Sequence, residues 1–235
     1  MFAITPNILS KFLNFCSKYI FILSIILFGV SAILIILLEN DYYQGISFKI
    51  MFVHVPTAWL SLLIFLTMGV SSIIGLIFKS PTSFTISRAL SPIGLIMSII
   101  VLITGSIWGN LTWGTYWVWD ARLTSMLILA FIYLGHILLL NSFDHFQKSD
   151  FAASILAIIG LVNLPIVKFS VDWWTTLHQG ASVFKVGGPS MTNDYLITLL
   201  LCFAALFSLC FYWFSNIFYI ITENRRIERI KLLSQ

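Results

Sequence analysis

Apolar residues fall in six long blocks, roughly Tyr19 to Leu38, Pro56 to Phe78, Ala89 to Ile107, Leu123 to Leu140, Phe151 to Phe169 and Tyr195 to Ile221. Each has the length needed to cross about 30 Å of hydrocarbon as a helix rising about 1.5 Å per residue. The pattern predicts an all-α polytopic membrane protein with six transmembrane helices in a single domain spanning residues 1–235, with no internal repeat and no separate soluble domain. The first block has no small-residue cleavage pattern after it and reads as helix 1, not as a cleavable signal.

Two places within the blocks need local chemistry. The second apolar run begins near Phe48, too long for one upright span, and Pro56 suits the first turn of a helix. Helix 2 is therefore expected to start at Pro56, with Ile46 to Val55 lying at the interface and His54 standing just before the helix. Asn163 and Pro165 predict a kink near the outer end of helix 5, whose freed backbone groups must find partners in neighbouring helices. The polar stretches Lys79 to Arg88 and Asn141 to Asp150 read as purely connective turns.

Composition agrees: 59% hydrophobic, 9% charged and a mean hydropathy of +0.98 describe a chain that only lipid can solvate. The basic residues orient it. Nine of them, Lys11, Lys18, Lys79, Arg88, Lys148, Arg225, Arg226, Arg229 and Lys231, fall at the two ends and in alternate loops; Lys49, Arg122, Lys168 and Lys185 fall on the other side. By the positive-inside rule both termini are expected in the cytoplasm and the loop between helices 3 and 4 faces outward. That bias accounts for the net charge of +4, so no nucleic-acid partner is needed.

The outward loop is unusual. Trp108, Trp113, Trp117 and Trp119, four of the eight Trp, fall between Trp108 and Arg122, and Trp173 and Trp174 lie in the other long outward loop. An interfacial aromatic belt is one reading. A belt needs rings at one depth, whereas on a helical turn Trp113, Tyr116, Trp117 and Asp120 share one face, with Trp108 and Trp119 roughly opposite. The pattern reads better as an aromatic platform for a flat apolar ligand. Two His, His54 and His178, flank it on the same side, and imidazole on each face of a planar macrocycle is a common way to hold iron. The implied ligand is haem.

Other chemistries fit less well. Zinc wants three or four close N or S ligands. Cys16, Cys202 and Cys210 form no C-x-x-C pair and no C-x-x-C-H haem attachment site, so bound haem is expected to be non-covalent and b-type. No G-x-x-x-x-G-K-[ST] loop is present, which leaves any ATP use to a partner and gives no sign of an enzyme. A cytochrome b-like electron-transfer subunit is the alternative; it predicts paired His stacked through the bilayer, and only His136 falls inside a predicted span. Three indoles each losing about half of roughly 200 Å² contribute on the order of 7 kcal/mol. Immobilising the ligand costs ~4 to 15 kcal/mol. Stacking alone is marginal, so iron ligation decides residence time, which suits a protein that hands haem on.

The run Trp113-Gly114-Thr115-Tyr116-Trp117-Val118-Trp119-Asp120-Ala121-Arg122-Leu123-Thr124 resembles the tryptophan-rich (WWD) motif of the haem-handling membrane proteins of cytochrome c biogenesis. Phe52-Val53-His54-Val55-Pro56 and Asp172 to Gly180 are similar to the two His-bearing segments of one branch, the haem exporter protein C (CcmC) family, and length and helix count match that branch over nearly the whole chain. Tyr116 departs from the Trp expected there and keeps an aromatic face.

The resemblance implies that His54 and His178 are axial haem ligands. It implies that Trp113, Tyr116, Trp117, Trp119, Asp120 and Arg122 belong to a haem platform on the periplasmic side of a bacterial inner membrane. It further implies delivery of haem to a periplasmic chaperone, the E protein of the system, in company with ATP-binding-cassette A and B subunits and a small D subunit. Asp120 and Arg122 keep two readings: a local ion pair at the start of helix 4, or direct contact with the ligand, Arg122 neutralising a propionate. Lys49 and Lys185 are further candidates for that contact.

Overall fold

A computed structural model describes residues 6–180, 182–183, 185 and 187–234. Among them the chain forms seven α-helices and no strand: α1 (Pro6–Leu37), α2 (Met51–Phe78), α3 (Pro81–Trp113), α4 (Ala121–Asn141), α5 (Phe146–Gly160), α6 (Asn163–Trp173) and α7 (Asn193–Leu233), with a 3-10 turn at Ile46–Ile50 leading into α2. Because α5 and α6 form one interrupted span, six segments are long and apolar enough to cross a membrane. An even number of crossings puts both chain ends at one end of the bundle. The Trp-rich stretch and the two long loops, 38–50 and 174–192, lie at the other.

The start of the second span departs from the sequence reading. α2 begins at Met51, and Pro56 lies inside it. The 3-10 turn passes directly into α2, so Pro56 interrupts a helix already nucleated and removes one ladder bond. The Thr57 hydroxyl lies 2.7 Å from the Val53 carbonyl and 2.9 Å from that of His54, tying down the same turn. His54 consequently sits in a helix, buried, instead of ahead of one.

At the break between α5 and α6 the freed groups are satisfied locally. Leu161 and Val162 donate their N–H to carbonyls three residues back, at 3.1 and 3.2 Å, and Leu164 does the same to Leu161. Only the Asn163 side chain reaches a neighbour, donating to the Ser125 carbonyl of α4 at 2.9 Å. The kink expected from Asn163 and Pro165 is thus a two-residue interruption just ahead of them.

The core joins Leu60, Phe65 and Met68 of α2 to Ile93 and Met97 of α3 and Leu129 and Tyr133 of α4. Polar groups inside it are paired, as the absence of water requires. Tyr133 donates to the Ser61 carbonyl at 2.7 Å, the Ser61 and Ser98 hydroxyls meet at 2.8 Å, and His136 lies between Ser91 (3.0 Å) and Ser87 (3.3 Å). Against this body α1 packs chiefly on α7. Ser10, Ser17, Ser24 and Ser31 recur every seventh residue on its buried side. The first three return their hydroxyls to carbonyls three residues back, so each behaves as a small side chain that lets two helices approach.

The stretches read as connective turns are mostly helix, residues 81–88 opening α3 and residues 146–150 opening α5, and the second does more than connect. Asp150, 3% exposed, accepts from Arg88 of α3 at 2.9 Å and from Arg225 of α7 at 2.7 Å, and both guanidiniums lie over the Phe146 ring at 4.6 and 4.4 Å. One carboxylate thereby ties three helices at the end carrying the termini. Replacing Asp150 by Asn leaves two buried cations without their counter-charge, and the expected cost is about 3–5 kcal/mol. A lowered melting temperature in detergent checks this; an unchanged one would show that the cluster contributes no net stability.

Candidate functional site

At the Trp-rich end the helix tops diverge around a cleft of about 540 Å³, within the range of about 300–1,000 Å³ usual for small-molecule and cofactor sites. The start of α2, the last turns of α3, the start of α4, the end of α6 and the loop 174–192 all contribute to its walls. Leu62, Leu102, Met126 and Val167 give it apolar walls, while Arg122, Lys168 and Lys185 stand among its polar residues, with Asp172 the one carboxylate lining it among the described residues.

The two His meet there. Their ring centres are 6.4 Å apart with the planes inclined at 35°. A metal held between two imidazoles at about 2.0 Å from each nitrogen, with about 1.1 Å from nitrogen to ring centre, needs ring centres roughly 6.2 Å apart. The spacing fits one metal centre between them. Each ring also has its Nδ1 engaged: His54 Nδ1 lies 3.0 Å from Thr104 Oγ1, and His178 Nδ1 lies 2.9 Å from the Gln179 carbonyl. A carbonyl can only accept, so His178 Nδ1 carries the proton and Nε2 keeps the lone pair. Burial pushes the His178 pKa below its ordinary value, so the ring is neutral and able to ligate at pH 7. Among the described residues no group of three or more His, Cys, Asp or Glu gathers as a self-contained metal site. Two nitrogens alone suit a metal whose remaining ligands arrive with it.

The aromatic surface differs from the helical face read from spacing. α3 stops at Trp113, because Gly114 adopts φ 77 and its N–H closes on the Asn110 carbonyl at 3.1 Å. Residues 115–120 are then non-helical, held by Thr115, whose hydroxyl donates to the Trp117 carbonyl at 3.1 Å. This sorts the Trp. Trp113 lies edge-on to His178 with ring centres 6.3 Å apart, Trp108 edge-on to His54 at 5.8 Å, and Trp117 and Trp59 also line the cleft. Tyr116 and Trp119 are outside it, 62% and 76% exposed, as are Trp173 and Trp174. Trp108, placed opposite the platform by helical spacing, is in fact part of the wall; its indole donates to Gln44 Oε1 at 2.9 Å.

Asp120 and Arg122 also separate. Asp120 caps α4, its Oδ1 accepting from the Leu123 N–H at 2.8 Å, and it does not line the cleft. Arg122 lines it. Its Nε donates to Ser170 Oγ at 2.8 Å and its Nη2 to the Lys168 carbonyl at 3.4 Å. Among the described residues no carboxylate pairs with it at contact distance, so the local ion pair is not formed. Lys185 lines the cleft, whereas Lys49 does not, its Nζ donating to the Leu38 carbonyl at 2.9 Å. Of the glycine-rich turn after the loop, Gly187 and Gly188 take φ 92 and 89, and Val186 lies outside the described residues.

Sequence reasoning missed Gln44, Trp59, Thr104, Gly105, Lys168 and Ser170 as parts of this site. None stands in a recognisable motif. A Cβ built on Gly105 would approach His54 Cε1 to 2.9 Å, so the glycine makes the space in which the imidazole sits.

The model of a family described as heme exporter protein C matches residues 2–231. The chain is 45% identical over 188 residues to Heme exporter protein C of Bradyrhizobium diazoefficiens, covering 80% of this chain and 71% of that one. It is 39% identical over 217 residues to the protein of the same name from Haemophilus influenzae, covering 91% and 88%.

Proposed function

The chain belongs to the heme exporter protein C family, and from that premise we propose that its cleft takes up haem and passes it on during c-type cytochrome biogenesis. The observation that carries the reading is the 6.4 Å spacing of His54 and His178, each with Nδ1 engaged, inside a cleft walled by Trp108, Trp113 and Trp117. Haem supplies the iron that the two Nε2 atoms hold; the chain supplies apolar walls, aromatic edges and cations. The macrocycle is bound without covalent attachment. Arg122, held by Ser170, offers its remaining N–H groups to a propionate, with Lys168 and Lys185 as secondary partners.

The two ligands are held differently. His54 is fixed in α2 against α3, whereas His178 stands on the loop after α6, where its backbone N–H donates to Thr176 and its Nδ1 to the Gln179 carbonyl, and only ring contacts with Trp113 and His54 tie it to the helices. His178 is therefore the ligand that gives way when haem leaves, and release needs no rearrangement of the helices. The exposed ring surface of Tyr116, Trp119, Trp173 and Trp174 beside the cleft is where a receiving protein docks. By the positive-inside rule this end faces the periplasm of a bacterial inner membrane, and the receiver is the periplasmic haem chaperone. Any ATP hydrolysis is left to an ATP-binding-cassette complex of A and B subunits with a small D subunit.

The test is transfer. Haem-loaded protein mixed with purified apo-chaperone is expected to lose its own haem absorption as the chaperone gains it, and Trp119→Ala is expected to slow transfer without weakening haem binding. A loaded protein that keeps its haem in the presence of excess chaperone would rule out handover. It would favour a resident electron-transfer haem.

A further inference from the structure

The haem reading leaves open how the His54 ring is set, and the helix opposite answers it. We infer that Thr104 is a positioning residue for His54, accepting a hydrogen bond from its Nδ1–H and thereby fixing the tautomer and aim of the imidazole. The inference rests on His54 being an iron ligand.

The argument turns on where the threonine proton goes. Thr104 Oγ1 lies 2.7 Å from the Ile100 carbonyl one turn back in α3, and a carbonyl accepts only, so the hydroxyl hydrogen is committed there. Toward His54, 3.0 Å away, the oxygen has lone pairs alone to offer. Nδ1 must then be the donor. A neutral imidazole protonated at Nδ1 has its lone pair at Nε2, the atom left to meet a metal. The ring is also confined in space, with Gly105 against Cε1 and Trp108 edge-on at 5.8 Å. Thr104, Gly105 and Trp108 all belong to one stretch of α3, so a rigid helix, and not the ligand's own segment, sets the imidazole.

The contrast with His178 sharpens the assignment. There the same duty falls to the Gln179 backbone carbonyl, which no substitution removes. At His54 it falls chiefly to a hydroxyl, with the Val101 carbonyl of the same helix as a further acceptor nearby. Such partners raise the basicity of the ligating nitrogen and hold its direction, and their loss typically weakens metal binding by about 10- to 100-fold.

The experiment compares full-length wild type, Thr104→Val, Thr104→Ser and His54→Ala, each loaded with haem in detergent. Three quantities are read: oxidised and reduced spectra, the rate of haem loss to excess apomyoglobin, and the midpoint potential. Thr104→Val is expected to lose haem about 10- to 100-fold faster and to shift the potential positive, since a less basic imidazole favours ferric iron less. Thr104→Ser is expected to restore both. Should Thr104→Val lower the melting temperature of the haem-free protein, Thr104→Ala removes the hydroxyl without branching at Cβ and carries the comparison. Wild-type retention and potential in the variants lacking the hydroxyl, with haem ligation lost in His54→Ala, would overturn the role of Thr104 and leave the haem reading intact. An unchanged spectrum in His54→Ala would remove the ligand assignment itself.

Discussion

His54→Ala and His178→Ala, made singly, are each expected to abolish the six-coordinate haem spectrum, but only His178→Ala is expected to regain it when free imidazole is added. Removing an axial ligand costs more than removing a partner behind it, so haem loss accelerates by more than about 100-fold in either variant. The remaining aromatic contacts, worth on the order of 7 kcal/mol, are offset by the cost of holding the ligand. The asymmetry in rescue comes from packing. His54 is buried between α2 and α3, with Gly105 and Trp108 pressed on it, and the space left by Ala opens only onto the inner wall of the cleft, which the ligand itself covers. His178 stands partly exposed on the loop, where an imidazole can enter beside Gln179. Absorption spectra with and without imidazole measure this directly. Equal rescue of both variants would show that the cleft does not hold His54 as tightly as its contacts require.

Gly105→Leu is expected to eliminate haem binding while lowering the stability of the haem-free protein by no more than about 1–2 kcal/mol. A Cβ at this position already meets His54 Cε1 at 2.9 Å, closer than unstrained contacts allow, and a leucine side chain adds three further carbons beside the imidazole. The ring must turn away, which breaks the Thr104 contact and misdirects Nε2. Yet Gly105 lies within α3, where glycine is the poorer helix former by about 1 kcal/mol. The helix gain offsets part of the overpacking, so binding is lost while stability changes little. Haem titration beside thermal melting of the haem-free protein tests both at once. A variant that binds haem normally would mean that the imidazole has room that the structure does not give it.

The residues that sequence reasoning found and those it missed divide along physical lines. Block length and hydropathy report how many times the chain can cross a bilayer, because each crossing must satisfy its own backbone in lipid. The number of spans was accordingly readable. The tryptophans between Trp108 and Trp119, with His54 and His178, stood out because aromatic rings and imidazoles are scarce and costly in short loops. Helical spacing then misassigned them. Gly114 ends α3 after Trp113 and turns the chain, so Trp108 joins Trp113 and Trp117 in the wall while Tyr116 and Trp119 point away. A left-handed glycine redirects every ring after it, and periodicity carries no record of the turn.

The amino-acid sequence by itself determined the six-span helical architecture, the end of the bundle at which aromatic and imidazole groups collect, and the family to which the chain belongs. Tertiary structure alone decided which of those groups face one another. His54 and His178 are 124 positions apart, and their 6.4 Å separation arises only when α2, α3 and the loop after α6 close on one another. Thr104, Gly105 and Ser170 carry no chemistry legible in one dimension. A hydroxyl or a missing Cβ acquires a role only from the neighbour that packing brings against it, and that neighbour lies 48 to 51 positions away.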